Sequence, residues 1–327
     1  MIAAGDTVLS VRDLSIGFES DIGLTPVVED VSFDVALGKT LALVGESGCG
    51  KSLTALALLN LLPPFGKIMA GSIRLGGREL VGLDEKAMQS IRGNRISMIF
   101  QEPMSALNPV FPIGMQVGES LRLHRGFNKE EAAMHAVEML TSVGIPDAET
   151  RAKSYPHELS GGMRQRVLIA MALACEPDVL IADEPTTALD VTIQAQILDL
   201  MHDLQENLHA AILFISHDLG VVSRMADDIA VMYSGRIVEY APAREILSAP
   251  RHPYTQALLE TTPRMDASVH HLPSIPGRVP SPSERPTGCH FNPRCTIATP
   301  ACSEKRPPLI EIADAHRVAC LEVSAGE

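Results

Sequence analysis

The sequence predicts an α/β protein with a sheet built largely from parallel strands. Short apolar segments have the length and composition of buried strands, and each precedes a polar loop; they are residues 40–44, 179–182 and 211–215. A glycine-rich loop, GESGCGKS, follows the first of these segments at residues 45–52. Because alternating strands and helices form parallel sheets, we expect ligands to bind at the carboxyl ends of these strands.

The glycine-rich loop fits G-x-x-x-x-G-K-[ST], the pattern of a phosphate-binding P-loop. Its glycines let backbone N–H groups point at an anion, and a helix predicted over residues 53–62 adds its positive dipole end. In such a loop Lys51 can reach the β- and γ-phosphates of a nucleotide, and the Ser52 hydroxyl can hold Mg²⁺. The candidate nucleotide-binding residues here are Gly45, Glu46, Ser47, Gly48, Cys49, Gly50, Lys51 and Ser52.

Periodic patterns predict the remaining elements in chain order. Alternating apolar residues predict strands at residues 8–11 and 31–35, and further short strands are predicted at residues 71–75 and 96–100. Helical spacing predicts helices at residues 129–143, 159–174 and 191–204, the first within a helical insert of about residues 103–160. Residues 229–233 and 236–240 are predicted to pair as a hairpin across Ser234-Gly235. The proline-rich tail from about Arg251 is predicted to be an irregular module that does not continue the sheet.

Polar side chains follow the predicted parallel strands. Asp183 comes directly after an apolar segment, and its carboxylate suits Mg²⁺. Glu184 is the candidate general base, because a carboxylate can polarise an attacking water. His217 follows the next strand, where an imidazole can hydrogen-bond the γ-phosphate or simply end the strand. Gln101 follows residues 96–100, at a position that suits contact with the water or with Mg²⁺.

A second candidate anion site lies at Ser160-Gly161-Gly162, which opens a predicted helix with free N–H groups. A plain helix cap by Ser160 is the alternative. Since the P-loop already accounts for one triphosphate, we expect a head-to-tail dimer in which this segment closes on the partner's nucleotide.

Composition and charge narrow the class of protein. The chain of 327 residues carries 40 acidic and 27 basic residues, a net charge of −13, and no Trp. A basic face and base-stacking aromatics are therefore not expected, which argues against broad nucleic-acid binding. The first residues lack the pattern of a secretory signal, and no apolar run approaches the roughly 18 residues of a membrane span. We expect a cytosolic protein, or one held at a membrane through partners.

Taken together, the motifs resemble those of an ABC-transporter nucleotide-binding subunit. Residues 45–52 match Walker A, Gln101 the Q-loop, residues 159–165 (LSGGMRQ) the signature motif, and residues 179–184 Walker B. His217 matches the switch histidine. The resemblance further implies that Asp190 lies in the D-loop and that Phe18 stacks on adenine. It implies ATP and Mg²⁺ as ligands, and Cys49, in place of the commoner Ser, is expected to make the site thiol-sensitive.

The resemblance extends to the ATPase subunits of oligopeptide and dipeptide importers. The segments that carry it are YPHELSGGMRQR, QEPMSALNP, HPYT and, in the tail, IPG and residues 288–295. It implies a nucleotide-binding domain over residues 1–250 and a C-terminal extension over residues 251–327. It also implies a second, related ATPase subunit, two membrane permeases that dock on the helical insert, and an extracytoplasmic binding protein. The chain is then expected at the cytoplasmic face of the inner membrane, as a peripheral subunit.

Other functions stay open at this point. Nickel importers share much of the pattern, so the transported solute is not decided by it. A soluble ABC ATPase that acts on nucleic acid or ribosomes is disfavoured by the acidic charge and by the single ATPase half. An iron–sulfur redox protein is disfavoured as the main function by the complete set of ATPase motifs.

The cysteines of the extension need a separate explanation. Cys289, Cys295, Cys302 and Cys320 are separated by five, six and seventeen residues, so no C-x₂₋₄-C zinc knuckle is present. Disulfides are disfavoured in the cytosol. A structural [4Fe–4S] cluster held by the four thiolates is favoured for three reasons. The cysteines lie close together in the sequence, a zinc knuckle and disulfides are disfavoured, and the chain resembles related ATPase subunits. Zinc and free thiols remain the alternatives.

Overall fold

The computed structural model describes residues 6–20, 23–101, 106–187, 189–261 and 274–323. Its helices are α1 (Lys51–Leu58), α2 (Glu85–Gln89), α3 (Ile113–His124), α4 (Lys129–Ser142), α5 (Ala148–Arg151), α6 (Gly161–Leu173), α7 (Val191–Leu208), α8 (Leu219–Met225), α9 (Ala243–Ser248), α10 (Pro253–Glu260) and α11 (Pro300–Glu304). Its strands are β1 (Thr7–Ser20), β2 (Gly23–Ala36), β3 (Thr40–Val44), β4 (Gly66–Leu75), β5 (Arg78–Glu79), β6 (Ile96–Ile99), β7 (Val179–Asp183), β8 (Ala211–Ser216), β9 (Asp228–Tyr233), β10 (Arg236–Pro242), β11 (Ile310–Ala313) and β12 (His316–Val318).

The described residues form two compact units. The first unit comprises residues 6–8, 36–39 and 82–213, and the second comprises residues 9–35, 40–81 and 214–323. Strand β8, which is buried at every position, is divided between them after Leu213.

In the first unit, β6 and β7 are parallel neighbours, with Ile96 opposite Val179 and Ile99 opposite Ala182. This pairing confirms the predicted parallel strands. Each strand is apolar because parallel strands are covered on both faces, and β7 is buried at all its positions. The loops that leave these two strands therefore start at the same end of the sheet.

The predicted helical insert contains α3, α4 and α5. Asn128 caps α4 with a complete capping box, in which the Asn128 side chain and Glu131 bond each other's backbone N–H groups. Ala132, Ala136 and Leu140 form its buried stripe, as the helical spacing predicted. Helices α3 and α4 approach closely at Gly118, where an added Cβ would lie 3.0 Å from the Ala132 carbonyl oxygen.

The second unit contains an antiparallel sheet in the order β2-β1-β4-β5. Its strands are longer than the sequence pattern indicated, since β1 and β2 each run for 14 residues. Strand β1 pairs with β4 from Leu9 opposite Leu75 to Phe18 opposite Gly66, with irregular register between Arg12 and Ile16.

The same unit pairs β3 in parallel with β9, and β9 in an antiparallel hairpin with β10. The hairpin was predicted, and its turn shows why it forms. Ser234 and Gly235 both have positive φ, 43° and 87°, which is the backbone conformation of a tight two-residue hairpin turn.

The C-terminal tail differs from the prediction, because it does continue a sheet. Strand β12 pairs with β10, and β11 pairs with β12. A buried polar contact accompanies this addition: His316 Nε2 lies 2.8 Å from Glu239 Oε1, and Glu239 is fully buried. The sequence pattern missed these strands because they are only three and four residues long and lie in a proline-rich segment.

Helix α1 also differs in its bounds from the predicted residues 53–62. It begins at Lys51, immediately after the glycine loop, and ends at Leu58. Asn60 adopts a left-handed conformation with φ 51°, and the Leu61 N–H donates to the Leu56 carbonyl. This is a helix-terminating arrangement, so the helix stops before the prolines are reached.

Candidate functional site

The glycine loop of the second unit has the backbone that a phosphate cradle requires. Gly45 and Gly50 have φ of 151° and 108°, in the region that favours glycine. A Cβ on Gly45 would overlap the Met232 carbonyl oxygen, and one on Gly50 would lie 2.9 Å from Met232 Cε. The loop therefore lies too close to β9 for side chains at these two positions, and its fold suits a phosphate group.

Lys51 is the first residue of α1 and is only 5 % exposed. Its ammonium group donates to the carbonyl oxygens of Gly45 at 2.6 Å and Glu46 at 3.1 Å, within the loop itself. Ser52 follows in the first turn and is half-buried. A buried cation at the start of a helix is an arrangement suited to an anionic ligand.

Cys49 is buried in the same loop, at 1 % exposure. Burial raises the pKa of its thiol, an effect that the nearby Lys51 ammonium only partly offsets. Because the thiolate is the reactive form, the environment of Cys49 disfavours the thiol sensitivity expected from the sequence.

Glu46 connects the loop to the C-terminal extension, a connection that sequence reasoning missed. Its backbone N–H donates to Tyr254 Oη at 2.9 Å. Its carboxylate accepts two hydrogen bonds from Arg294, at 2.7 and 3.0 Å. Arg294 and Glu46 are 248 positions apart, so no local pattern could have indicated the pair.

Two further predicted residues lie in the second unit. Phe18 lies near the end of β1, half-buried, with its ring close to Gly66 of the paired strand. His217 follows β8 directly and is exposed. The next residue, Asp218, caps α8 by accepting from the Gly220 N–H at 2.8 Å. This cap begins a helix immediately after the histidine and so holds the backbone beside it.

The first unit brings Gln101 and Glu184 together, as their positions after β6 and β7 predicted. Gln101 Nε2 donates to Glu184 Oε2 at 3.1 Å, and Thr187 Oγ1 donates to the same oxygen at 2.9 Å. Glu184 has φ 48°, an uncommon conformation for a residue with a side chain that often marks functional positions. Asp183, one residue earlier, is 4 % exposed at the end of β7.

The signature segment, residues 159–165, also belongs to the first unit. Ser160 is the N-cap of α6, where its hydroxyl accepts from the Met163 N–H at 3.3 Å, and both Ser160 and Gly161 are exposed. Gly162 lies against α7, since an added Cβ would be 2.9 Å from Ile193 Cγ2. Asp190 caps α7 by accepting from the Ile193 N–H at 2.9 Å. The segment thus presents an exposed helix N-terminus whose first turn is held by local contacts.

Cys302 lies within electrostatic reach of each of the other three cysteines of the extension. Burial raises the pKa of Cys289, Cys295 and Cys320, and nearby thiols, including Cys302 in each case, raise it further. Within the described part of the chain, no group of three or more His, Cys, Asp or Glu residues is arranged to hold a metal ion. The thiols as placed are therefore neighbours but not a ligand set.

The site places this chain in the class of P-loop nucleotide-binding proteins, which combine a strand, a glycine loop, a helix N-terminus and a buried lysine. Similarity to known proteins identifies the family within this class. Residues 28–187 match the ABC transporter family, and residues 238–302 match the family described as oligopeptide/dipeptide transporter, C-terminal region. The chain belongs to the ABC transporter family, in which it is an ATP-binding cassette. No helix among the described residues has the length and apolar character needed to cross a membrane.

Individual relatives are similar in sequence to this chain along almost its whole length. A peptide import ATP-binding protein of Brucella melitensis is 51 % identical over 326 residues, which cover 96 % of both chains. A peptide ABC transporter ATP-binding protein of Sinorhizobium fredii is 50 % identical and covers 96 % of this chain and 95 % of its own.

Solved structures give the same family. A dimeric ATP-binding cassette in a post-hydrolysis state, bound to ADP and phosphate, superposes with a TM-score of 0.65 and 26 % identity, over 72 % of this chain and 99 % of that one. The Clostridium perfringens protein cbiO1, part of the ABC transporter complex cbiONQ, has a TM-score of 0.63 and 25 % identity, over 75 % of this chain and 92 % of its own. These similarities confirm the predicted fold class.

Proposed function

We propose that this chain is the ATP-hydrolysing subunit that powers import of di- and oligopeptides through an ABC transporter. The observation that carries the proposal is the phosphate loop with its buried Lys51, in a chain whose residues 238–302 match the oligopeptide/dipeptide transporter C-terminal region. Relatives that bear a peptide-import name along 96 % of the chain support the same substrate class.

In this proposal ATP is the substrate, and the glycine loop binds its phosphates. Backbone N–H groups of residues 45–52 and the start of α1 meet the phosphate oxygens, and the Lys51 ammonium turns from the loop carbonyls to the β- and γ-phosphates. Ser52, Gln101 and Asp183 supply the oxygen atoms that Mg²⁺ prefers, and the ion neutralises phosphate charge when bound. Phe18 supplies the apolar face for the adenine ring.

Hydrolysis is assigned to Glu184, with Gln101 and His217. Glu184 acts as the general base by accepting a proton from the attacking water. Gln101 Nε2, which donates to Glu184 Oε2 at 3.1 Å, orients that carboxylate. His217 hydrogen-bonds the γ-phosphate from its exposed position after β8. The support for these roles is position: Glu184 and His217 come directly after the buried strands β7 and β8, and Gln101 comes two residues after the end of β6.

The signature segment serves a partner subunit's nucleotide. Ser160, Gly161 and Gly162 present an exposed helix N-terminus, which favours an anion from another chain. Near it, Val191 follows Asp190 and is 82 % exposed although apolar, which suits a surface covered by a second subunit. We assign the partner to a second, related ABC ATPase.

The helical insert docks on the membrane permeases. A groove of about 360 Å³, lined by residues of α3, α4 and α5, is mostly apolar. Exposed apolar side chains lie on the same insert: Val110, Phe111, Met115, Leu123 and Met134. We assign this surface to a cytoplasmic segment of two transmembrane permeases, which receive peptide from an extracytoplasmic binding protein. The chain then lies at the cytoplasmic face of the inner membrane, with a nucleotide-binding domain over residues 1–250 and its extension over residues 251–327.

We assign a structural [4Fe–4S] cluster to Cys289, Cys295, Cys302 and Cys320 on their clustering and electrostatic proximity. Their present arrangement is not a ligand set, so binding of the cluster requires a different arrangement of the four thiolates. Anaerobic purification followed by iron, sulfide and zinc analysis tests this. About four irons and four sulfides per chain are expected, with visible absorption lost in Cys295→Ser; stoichiometric zinc or no metal contradicts the cluster.

Transport itself is tested in proteoliposomes that contain the complete complex, the chain with its permeases and binding protein. ATP-dependent uptake of a labelled di- or oligopeptide is expected, and Lys51→Ala should abolish it by weakening ATP binding. Nickel offered in parallel serves as the competing solute. ATP-driven nickel uptake without peptide uptake would overturn the peptide assignment, and absence of ATP hydrolysis would overturn the function as a whole.

A further inference from the structure

The C-terminal extension is bonded directly to the phosphate loop through Arg294. The guanidinium makes two hydrogen bonds to the Glu46 carboxylate, 2.7 Å from Nη1 to Oε2 and 3.0 Å from Nη2 to Oε1. The Arg294 side chain is 4 % exposed and that of Glu46 is 29 % exposed. A bidentate pair with so little exposure is directional and well shielded from salt.

Electrostatics show that Glu46 is the dominant partner of this arginine. Burial by itself lowers the pKa of Arg294, but the hydrogen bonds to Glu46 and Tyr233 and the charge attraction of the same two groups together raise it. Nη1 also donates to Tyr233 Oη at 3.4 Å. Two bonds of the guanidinium stay within the extension: Nε donates to the Pro276 carbonyl at 2.8 Å, and Nη2 also approaches the Ile275 carbonyl at 3.3 Å. The arginine thus joins the loop on one side to the extension on the other.

An aromatic cluster, Tyr233, Tyr254 and Phe291, surrounds this connection. The Tyr233 ring centroid lies 4.6 Å from that of Tyr254 and 5.1 Å from that of Phe291. The Arg294 guanidinium carbon lies 5.8 Å from the Tyr233 centroid, within the range of a cation–π contact. Tyr254 adds a direct bond to the loop, since its Oη accepts from the Glu46 N–H at 2.9 Å.

These contacts converge on Glu46, which also helps to hold Lys51. The Lys51 ammonium donates to the carbonyl oxygens of Gly45 and Glu46, so Glu46 is bonded at its N–H, its carbonyl and its carboxylate. These bonds favour a loop that is already in shape to bind an anion.

The position of Arg294 in turn depends on the backbone at Cys289 and Cys295. Arg294 is the last residue of a short 3-10 helix, Asn292–Arg294. The Asn292 N–H donates to the Cys289 carbonyl at 3.0 Å, and the Cys295 N–H donates to the Asn292 carbonyl at 3.2 Å. The helix that carries the arginine therefore begins and ends on backbone bonds of two cysteines.

We propose that Arg294 is a positioning residue for nucleotide binding, through which the C-terminal extension holds the phosphate loop in its binding conformation. Arg294 acts on Glu46, not on the nucleotide itself. The inference rests on nucleotide binding at the loop, and it adds a function of the extension in that binding.

The test is binding of a fluorescent ATP analogue to the full chain, with thermal unfolding measured in parallel. Arg294→Ala is expected to raise the Kd about tenfold, which corresponds to about 1.4 kcal/mol. Glu46→Gln, which keeps the side-chain size, is expected to raise it in the same direction. Arg294→Lys should restore part of the affinity because it keeps the charge but not the bidentate geometry. In the assembled complex, KM for ATP should rise while kcat at saturating ATP changes little.

The control is Arg306→Ala, which removes another arginine of the extension. Arg306 Nη1 pairs with Glu29 Oε2 at 2.6 Å, and Arg306 Nη2 lies 3.3 Å from His290 Nε2. The Kd should therefore stay at the wild-type value even if the unfolding temperature falls.

If both Arg294→Ala and Glu46→Gln bind the analogue with the wild-type Kd, the inference is overturned while the proposed function stays intact. An equal rise of the Kd in Arg306→Ala would also overturn the inference, because the effect would then come from a general loosening of the extension. If Arg294→Ala fails to fold, Glu46→Gln decides alone. A wild-type chain that binds no nucleotide would overturn both the inference and the proposed function.

Discussion

Gln101 and Glu184 are joined by a hydrogen bond of 3.1 Å between Nε2 and Oε2. The two residues follow neighbouring parallel strands, β6 and β7, so the sheet itself brings them to the same end. Thr187 donates to the same carboxylate oxygen at 2.9 Å. The Glu184 carboxylate is thereby oriented by two donors, which is what a general base with a defined direction requires.

The first prediction concerns turnover. Glu184→Gln should bind ATP but lower its hydrolysis in the assembled complex by at least about 100-fold, since an amide cannot accept the proton of the attacking water. Phosphate release and binding of a fluorescent ATP analogue measure the two effects separately. Glu176→Gln is the matched control, because Glu176 is also a glutamate of the first unit at positive φ, 47°, and is exposed. Turnover near the wild-type rate in Glu184→Gln would contradict the general-base assignment.

The second prediction concerns the composite site. Ser160→Arg should abolish ATP hydrolysis and leave ATP binding by the isolated subunit nearly unchanged, because the arginine obstructs a surface that meets the partner's nucleotide. The substitution also removes a helix cap, worth about 1 kcal/mol. Asp84→Arg controls for this, since Asp84 is an exposed N-cap that accepts from the Ala87 N–H at 2.8 Å. Lost binding in isolated Ser160→Arg would show that the segment serves its own nucleotide or the local fold.

The third prediction concerns Cys49. Burial raises the pKa of this thiol, and 1 % exposure limits access to it, so alkylation by iodoacetamide at neutral pH should be slow. Peptide mapping by mass spectrometry gives the modified fraction over time. The buried Cys175 is the reference in the folded chain, and denatured protein gives the fully modified value. Rapid modification of Cys49 in the folded protein would restore the thiol sensitivity expected from the sequence.

The fourth prediction concerns stability at mildly acid pH. Complete burial lowers the pKa of His252 to about 3, although a hydrogen bond with the Ala319 backbone opposes the shift. Below its unfolded pKa of about 6.5, the unfolded state binds a proton that the folded state does not. The free energy of unfolding should therefore fall, by about 1.4 kcal/mol per pH unit, as the pH drops below about 6.5 toward 3.

The variant His252→Asn isolates this effect. In the wild type, His252 Nδ1 accepts from the Tyr254 N–H at 3.0 Å, and an asparagine oxygen can replace that acceptor without titrating. Unfolding measured at pH 7.5 and 5.5 should show a smaller loss of stability in the variant. His202→Asn, at a histidine that is 55 % exposed, should keep the wild-type dependence. Equal pH dependence in His252→Asn and the wild type would contradict the prediction.

Local patterns in the sequence predicted most of the elements that carry these residues. The hairpin turn at Ser234-Gly235 and the buried stripe of α4 follow from turn chemistry and helical spacing. The end of α1 was misplaced because Asn60 terminates the helix before the prolines do. The strands of the tail were missed because their pairing partner, β10, lies about 80 positions earlier in the chain.

The sequence by itself determined the phosphate loop, the order of strands and helices, and the family, because each depends on residues close together in the chain. Only the tertiary structure decided that Arg294 bonds Glu46 across 248 positions, and that Tyr254 accepts from the Glu46 N–H across 208. Periodicity and motif spacing carry no information about such pairs. They form when burial of the aromatic cluster brings the extension against the loop, and the low exposure of Arg294 then requires a charged partner.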